Sequence, residues 1–271
     1  MLSTGWPSTG PASPIPYRES TTSNVCGSVH GEAHDRQVQL LEGLFQETVK
    51  LPPERCVAVI HWANSSVYSI LMEVFPKGEV RPELIEHFQR VSQHAEIIVQ
   101  LRLSDRALRL FLVHPTWLGA DQYSGSNSEP SLADLYLFER FSHWFHAQSQ
   151  SEDTLLSYFS LANPPTPKLK NKALRQITSE TANSALAWLL GWSEAEITAL
   201  TDTLSEKHAC SMAQVDWIRR CQATCQASRL SAKALLQATE LNHQSTLDAW
   251  KTVGDAVMAT HSVPDSSLAN V

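Results

Sequence analysis

Apolar residues recur three and four positions apart along nearly the whole chain, and that spacing leaves few folds open to it. Val38, Leu41, Phe45 and Val49 mark one face of a first helix, which runs from about His34 to the stop at Leu51-Pro52-Pro53. A second helix is expected over 54–74, ahead of Pro76 and Gly78. Within it, Cys56 to His61 is the only strand-like run, too short and isolated to build a sheet. A third starts at Pro82, a residue suited to a first helical turn, and reaches about Leu101. Ser104 caps a fourth that ends before Pro115. Ser131 opens a helix through Leu135, Phe138, Phe141 and Phe145, whose stripe of large side chains belongs to a core. Beyond it a helix through Trp188 stops at Gly191. Ser193 with Glu196, and Ser211 with Gln214, have the spacing of capping boxes. Helices joined by capped turns, without alternating strands, predict an all-α architecture of packed helical repeats or a bundle.

The punctuation between helices divides the chain. Residues 1–30 are rich in Ser, Thr, Pro and Gly, carry too little apolar surface to offset the entropy of ordering, and are expected to form a disordered tail. Asp121 to Pro130, with its Ser-Gly-Ser-Asn-Ser centre, is expected to be a mobile loop. Asn163 to Pro167 is the clearest hinge, because proline cannot continue a helix and restricts its predecessor. Two helical units follow, over 31–162 and 168–260, with a flexible tail at 261–271. The two units carry a weak internal repeat. Arg102-Leu103-Ser104-Asp105-Arg106-Ala107-Leu108 matches Arg229-Leu230-Ser231-Ala232-Lys233-Ala234-Leu235, and upstream Ala63-Asn64-Ser65 is paired with Ala182-Asn183-Ser184. Tandem helical units of this kind stack to complete a shared core.

Composition excludes several functions. A formal net charge of −7 disfavours nucleic acid, which needs clustered Lys and Arg. The longest basic run, Lys168-Leu169-Lys170-Asn171-Lys172, lies in a Pro-rich link and suits a solvated loop. No apolar run approaches the ~18 residues of a membrane span, and no secretory signal is visible at the start. Cys26, Cys56, Cys210, Cys221 and Cys225 have no framework spacing and suit reduced thiols of a protein made in the cytoplasm.

No motif assembles a catalytic centre. Glu139, His143 and His146 project from nearby faces of one helix, but their spacing is not that of a zinc-binding His-Glu-x-x-His and no general base stands beside them. They suit the polar flank of an aromatic helix. His208, Cys210, Cys221 and Cys225 form a second conceivable cluster. The repeat sets Cys221 and Cys225 opposite His94 and Ile98, positions of ordinary helix packing. His30-Gly31-Glu32 matches half of the zinc-deaminase signature, and Pro53-Glu54-Arg55-Cys56 fails the other half. Glu194 and Glu196 sit in a first helical turn, where carboxylates favour the dipole. No catalytic, cofactor-binding or metal residue is assigned. Trp62, Trp117, Trp144, Trp188, Trp192, Trp217 and Trp250 fall in or beside helices. Of these, Trp144, Trp188, Trp192 and Trp217 are the candidate interface residues, being large side chains on helices with few charges.

Five strings, in order, resemble the A subunit of the insecticidal toxin complexes of bacteria, the Tc toxins. They are 62–72 (WANSSVYSILM), 107–118 (ALRLFLVHPTWL), 131–145 (SLADLYLFERFSHWF), 182–192 (ANSALAWLLGW) and 230–242 (LSAKALLQATELN). The likeness runs from about Cys56 to Ala259. It implies a non-enzymatic helical segment of the shell around a translocation channel, working with the other Tc toxin subunits. It further implies a pentameric homo-oligomer, contact with a host-cell surface and release as part of a toxin complex. Family A subunits are much longer, and nothing in this chain resembles their long pore hairpin or β-rich receptor-binding inserts. The alternative expectation is therefore a free-standing helical interaction protein, virulence factor or remnant of the same family, without pore formation.

Overall fold

In the computed structural model, which describes residues 25–74, 82–119, 131–165 and 172–261, every apolar period becomes a helix. The first half holds α1 (Val25–Val49), α2 (Pro53–Trp62), α3 (Val67–Val74), α4 (Pro82–Leu101), α5 (Asp105–Val113), α6 (Pro115–Leu118), α7 (Leu132–His146) and α8 (Glu152–Ala162). The second holds α9 (Lys172–Leu190), α10 (Glu194–Thr201), α11 (Met212–Ser228), α12 (Ala232–Glu240) and α13 (Leu247–His261). The described residues contain no strand, so the fold is all-α as expected. α1 starts at Val25, inside the span expected to be a tail; residues 1–24 lie outside the described residues. So do the loop expected at 121–130, most of the basic link, and 262–271.

The single helix expected over 54–74 is two helices, because Asn64 adopts a left-handed backbone (φ 52°). The Asn64 N–H donates to His61 O and the Ser65 N–H to Ile60 O, both at 3.0 Å, which closes the last turn of α2 in a Schellman stop. Arg102 (φ 52°) ends α4 by the same two bonds, from its own N–H to Val99 O and from the Leu103 N–H to Ile98 O. Gly191 (φ 58°) ends α9 likewise, through Trp188 O and Ala187 O. A left-handed residue with a Cβ costs about 1 kcal/mol. At Lys50, Arg102 and Lys207 the next residue (Leu51, Leu103, His208) is buried, which offsets that cost.

These stops show what the internal repeat is. Counted outward from Arg102 and Arg229 (φ 59°), buried positions coincide: Val91 with Ile218, Ile98 with Cys225, Ala107 with Ala234. Counted from Lys50 (φ 59°) and Gly191 they coincide again, Leu41 and Phe45 with Ala182 and Leu186, and Cys56 and Val59 with Ile197 and Leu200. The α1–α2 hairpin thus corresponds to α9–α10, and α4–α5 to α11–α12. The expected pairing of Ala63-Asn64-Ser65 with Ala182-Asn183-Ser184 is a correction: the first is a helix stop, the second lies inside α9.

Two of the four predicted cap interactions differ as well. Ser193 and Ser211 do cap α10 and α11. Glu196, however, does not close back on Ser193; its carboxylate accepts the N–H of Ala232 at the start of α12. Gln214 accepts the N–H of Cys210, one residue before the cap (2.7 Å). A full capping box forms instead at Ser131 with Asp134.

One continuous core fills both halves. Phe111 of α5 is its hub, edge-on to Phe138 and Phe141 of α7 and Phe159 of α8 at centroid distances of 6.0, 5.3 and 5.5 Å. Where α6 turns toward α11, Gly119 has φ 114°, and a Cβ there would stand 2.5 Å from Ala213 Cβ. Only glycine fits. Gly119→Ala should therefore destabilise the chain by about 3 kcal/mol in chemical denaturation, strain and overlap together. Adding Ala213→Gly should recover the overlap share and leave the backbone strain.

Candidate interaction surface

Polar side chains with strong partners lie mainly at the seam between the halves. Asp216 of α11 is 1% exposed and accepts from Arg140 Nε of α7 (2.6 Å), Tyr136 OH (3.2 Å) and Arg220 Nε (3.0 Å). The first of these bonds holds the Arg140 guanidinium above its ordinary range. Arg219 lies 5.7 Å over the Trp144 ring, a cation–π contact, and burial pulls its own value down. With its amide turned to suit both neighbours, Gln148 accepts from Trp144 Nε1 (2.8 Å) and donates to Leu189 O (3.2 Å). Tyr158 OH donates to Ala209 O (2.7 Å), and Asn163 Nδ2 to Cys210 O (2.8 Å). These groups tie two sets of helices together and leave no carboxylate, imidazole or thiol among them turned into a substrate-sized cleft.

The expected His and Cys clusters separate in space. His208 is buried between Ala162 O and Glu206 O, 2.8 Å from each ring nitrogen, with Cys210 Sγ 3.4 Å from Nε2. Cys221 and Cys225 lie further along α11, where Cys225 is 5% exposed. Glu139 and His143 are exposed, and His146 bonds back to Ser142 O through Nδ1 (2.8 Å). No group of three or more metal-ligating side chains forms among the described residues. Burial pushes the thiols up from 9.0, Cys56 to about 12 and Cys210 and Cys225 to about 11, which suits packing groups and disfavours nucleophiles.

The four candidate tryptophans part ways. Trp144 is only 3% exposed and belongs to the core, so the surface role expected of it is corrected. Trp192 and Trp217 are half-buried against the same core. Trp188 is 59% exposed. It stands on the outer face of α9 in a ridge with Leu174, Ile177, Thr181 and Ser184, while Ala182, Leu186 and Leu189 fill the inner face. A shallow notch beside Trp188 is lined by Thr181, Ser184 and Ala185 and rimmed by Glu180 and Glu194. An aromatic and aliphatic ridge with an acidic rim fits a helix that brings aliphatic and basic side chains. Leu174 and Ile177 are not among the candidates expected from sequence, although their helical spacing from Thr181 and Trp188 is a signal that could have found them.

No model of a protein family matches the chain. It is similar to toxin subunit YenA1 of Yersinia entomophaga, 28% identical over 229 residues. The match takes in 80% of this chain and 19% of that protein, so the chain spans about a fifth of its relative's length. The likeness to Tc toxin A subunits seen in the five strings and this match agree.

Two outcomes separate seam from ridge. Asp216→Ala should cost about 3 kcal/mol in urea unfolding, because it strands two guanidinium groups and a phenol at the seam, whereas Trp188→Ala should change stability by less than about 0.5 kcal/mol. The raised thiols carry a pH signature. A folded-state pKa above the unfolded one gives stability that is intact below pH 9.0 and lost as pH rises toward about 11 to 12. Urea midpoints should fall between about pH 8.5 and about pH 10.5, and Cys56→Ala should flatten that fall.

Proposed function

We infer, from kinship with a Tc toxin A-subunit-like protein, that this chain is a non-catalytic helical component of a toxin-delivery complex. Its work is assembly. The observation that carries this reading is the outer ridge of α9, an exposed tryptophan and two aliphatic side chains on a helix whose inner face is already packed. Companion toxin subunits are the proposed partners, with a basic amphipathic helix meeting the rim of Glu180 and Glu194. Pentameric association, contact with a host-cell surface and release within a toxin complex belong to the same proposal, as does the absence of catalysis. The buried titratable groups support that last point, since each is engaged in packing or in the seam. No helix among the described residues is long and apolar enough to cross a membrane, so a pore is not part of the role proposed for them.

One observation favours a second reading. The core closes around Phe111 and the Asp216 seam using this chain's own residues. A free-standing helical interaction protein of the same family would need no more.

Light scattering coupled to size-exclusion chromatography, on the chain alone and mixed with companion toxin subunits, distinguishes the two. Assembly predicts a complex that Trp188→Glu weakens at least about tenfold while the melting curve stays put. A chain that ignores the companion subunits contradicts assembly and leaves the free-standing reading.

A further inference from the structure

α13 is a helix with two rows. Ala249, Val253, Ala256 and Thr260 are half-buried on the side turned to α12. The outer row, Leu247, Trp250, Gly254 and Val257 with Met258 alongside, follows the three-four-three spacing of a helix-pairing seam. Leu247 is 81% exposed, Met258 67% and Trp250 50%. No described side chain of α13 is fully buried. A helix of 15 residues draws little stability from itself in water, so such a row calls for a cover.

The row is self-complementary, which says what the cover is. Gly254 sits at its middle, and a Cβ there would meet nothing within 4 Å, so a second backbone can approach closely. Turned antiparallel about a two-fold axis at Gly254, a second α13 sets Trp250 at the height of Met258, an aromatic–thioether contact. The same rotation keeps each charged flank on its own side of the seam. It therefore brings Lys251 of one copy beside Asp255 of the other, twice. A parallel pair would set Lys251 against Lys251 instead.

We propose that α13 mediates antiparallel pairing with a second copy of this chain through Leu247, Trp250, Gly254, Val257 and Met258, with reciprocal Lys251–Asp255 ion pairs. This contact is separate from the ridge of α9. A single helix pair covers well under the roughly 800 Å² per partner of a standard interface, so the pairing is weak and of micromolar strength.

Sedimentation equilibrium of the full chain across the micromolar range tests it. The expected result is a reversible dimer. Trp250→Glu should weaken it at least about tenfold without moving the melting curve. Lys251→Asp and Asp255→Lys should each weaken it, and the two together should restore it, because the swap rebuilds both ion pairs. Gly254→Cys, lying on the axis, should give a covalent dimer on copper-phenanthroline oxidation, where the wild-type cysteines give none. A chain that stays monomeric throughout overturns the proposal, and one that then binds companion subunits through α13 gives the row to them. A dimer indifferent to Trp250→Glu, or a double charge swap that fails to restore pairing, overturns it too.

Discussion

A carboxylate buried with its charge holds the two halves in one body. Asp216 is almost wholly removed from water, so it must be met by cations and donors, and α7 supplies Arg140 and Tyr136 from the other half of the chain. A buried ion of this kind contributes little net stability against a well-packed apolar replacement, yet it permits one register of α11 against α7 and penalises the others. The bonds of Tyr158, Asn163 and Gln148 follow that register, as does the close approach of Gly119 to Ala213. The orientation of the second half, and of the ridge on α9, depends on it.

Local signals in the sequence carry much of the fold. Pro82, Ser104, Ser131 and Gly191 mark helix ends because capping and backbone freedom act within a few residues. Asn64 is a weaker signal, and its stop is hidden because the apolar period runs on either side of it. Arg102 and Arg229 carry no local signal for a left-handed backbone; burial of the following leucine decides the matter at Arg102. Glu196 has the spacing of a capping box, but a carboxylate at the third helical position can also reach another helix end, and it caps α12. The repeat is legible where Leu-Ser caps recur. Its other half lies in matched burial between α1–α2 and α9–α10, where residue identities have diverged.

The candidate surface is less legible for a physical reason. Tryptophan on a helix with few charges serves a core and an interface equally well, and only packing separates them. Trp144 lies under Arg219 and beside Gln148, whereas Trp188, also flanked by apolar residues in its own helix, faces outward. Sequence spacing can assign α9 an inner face through Ala182, Leu186 and Leu189, but not whether its opposite face is covered. In a chain spanning about a fifth of its relative's length, the exposed apolar rows on α9 and α13 are the surfaces left for further contact by the packing of the core.

Hydroxyl-radical footprinting of the tryptophans, on the chain alone and in mixture with companion toxin subunits, is the most direct test of the assembly role. Assembly through α9 predicts that Trp188 oxidises readily in the free chain and is protected in the complex, while Trp144 stays unreactive in both. Oxidation of Trp188 that is the same with and without those subunits would contradict it.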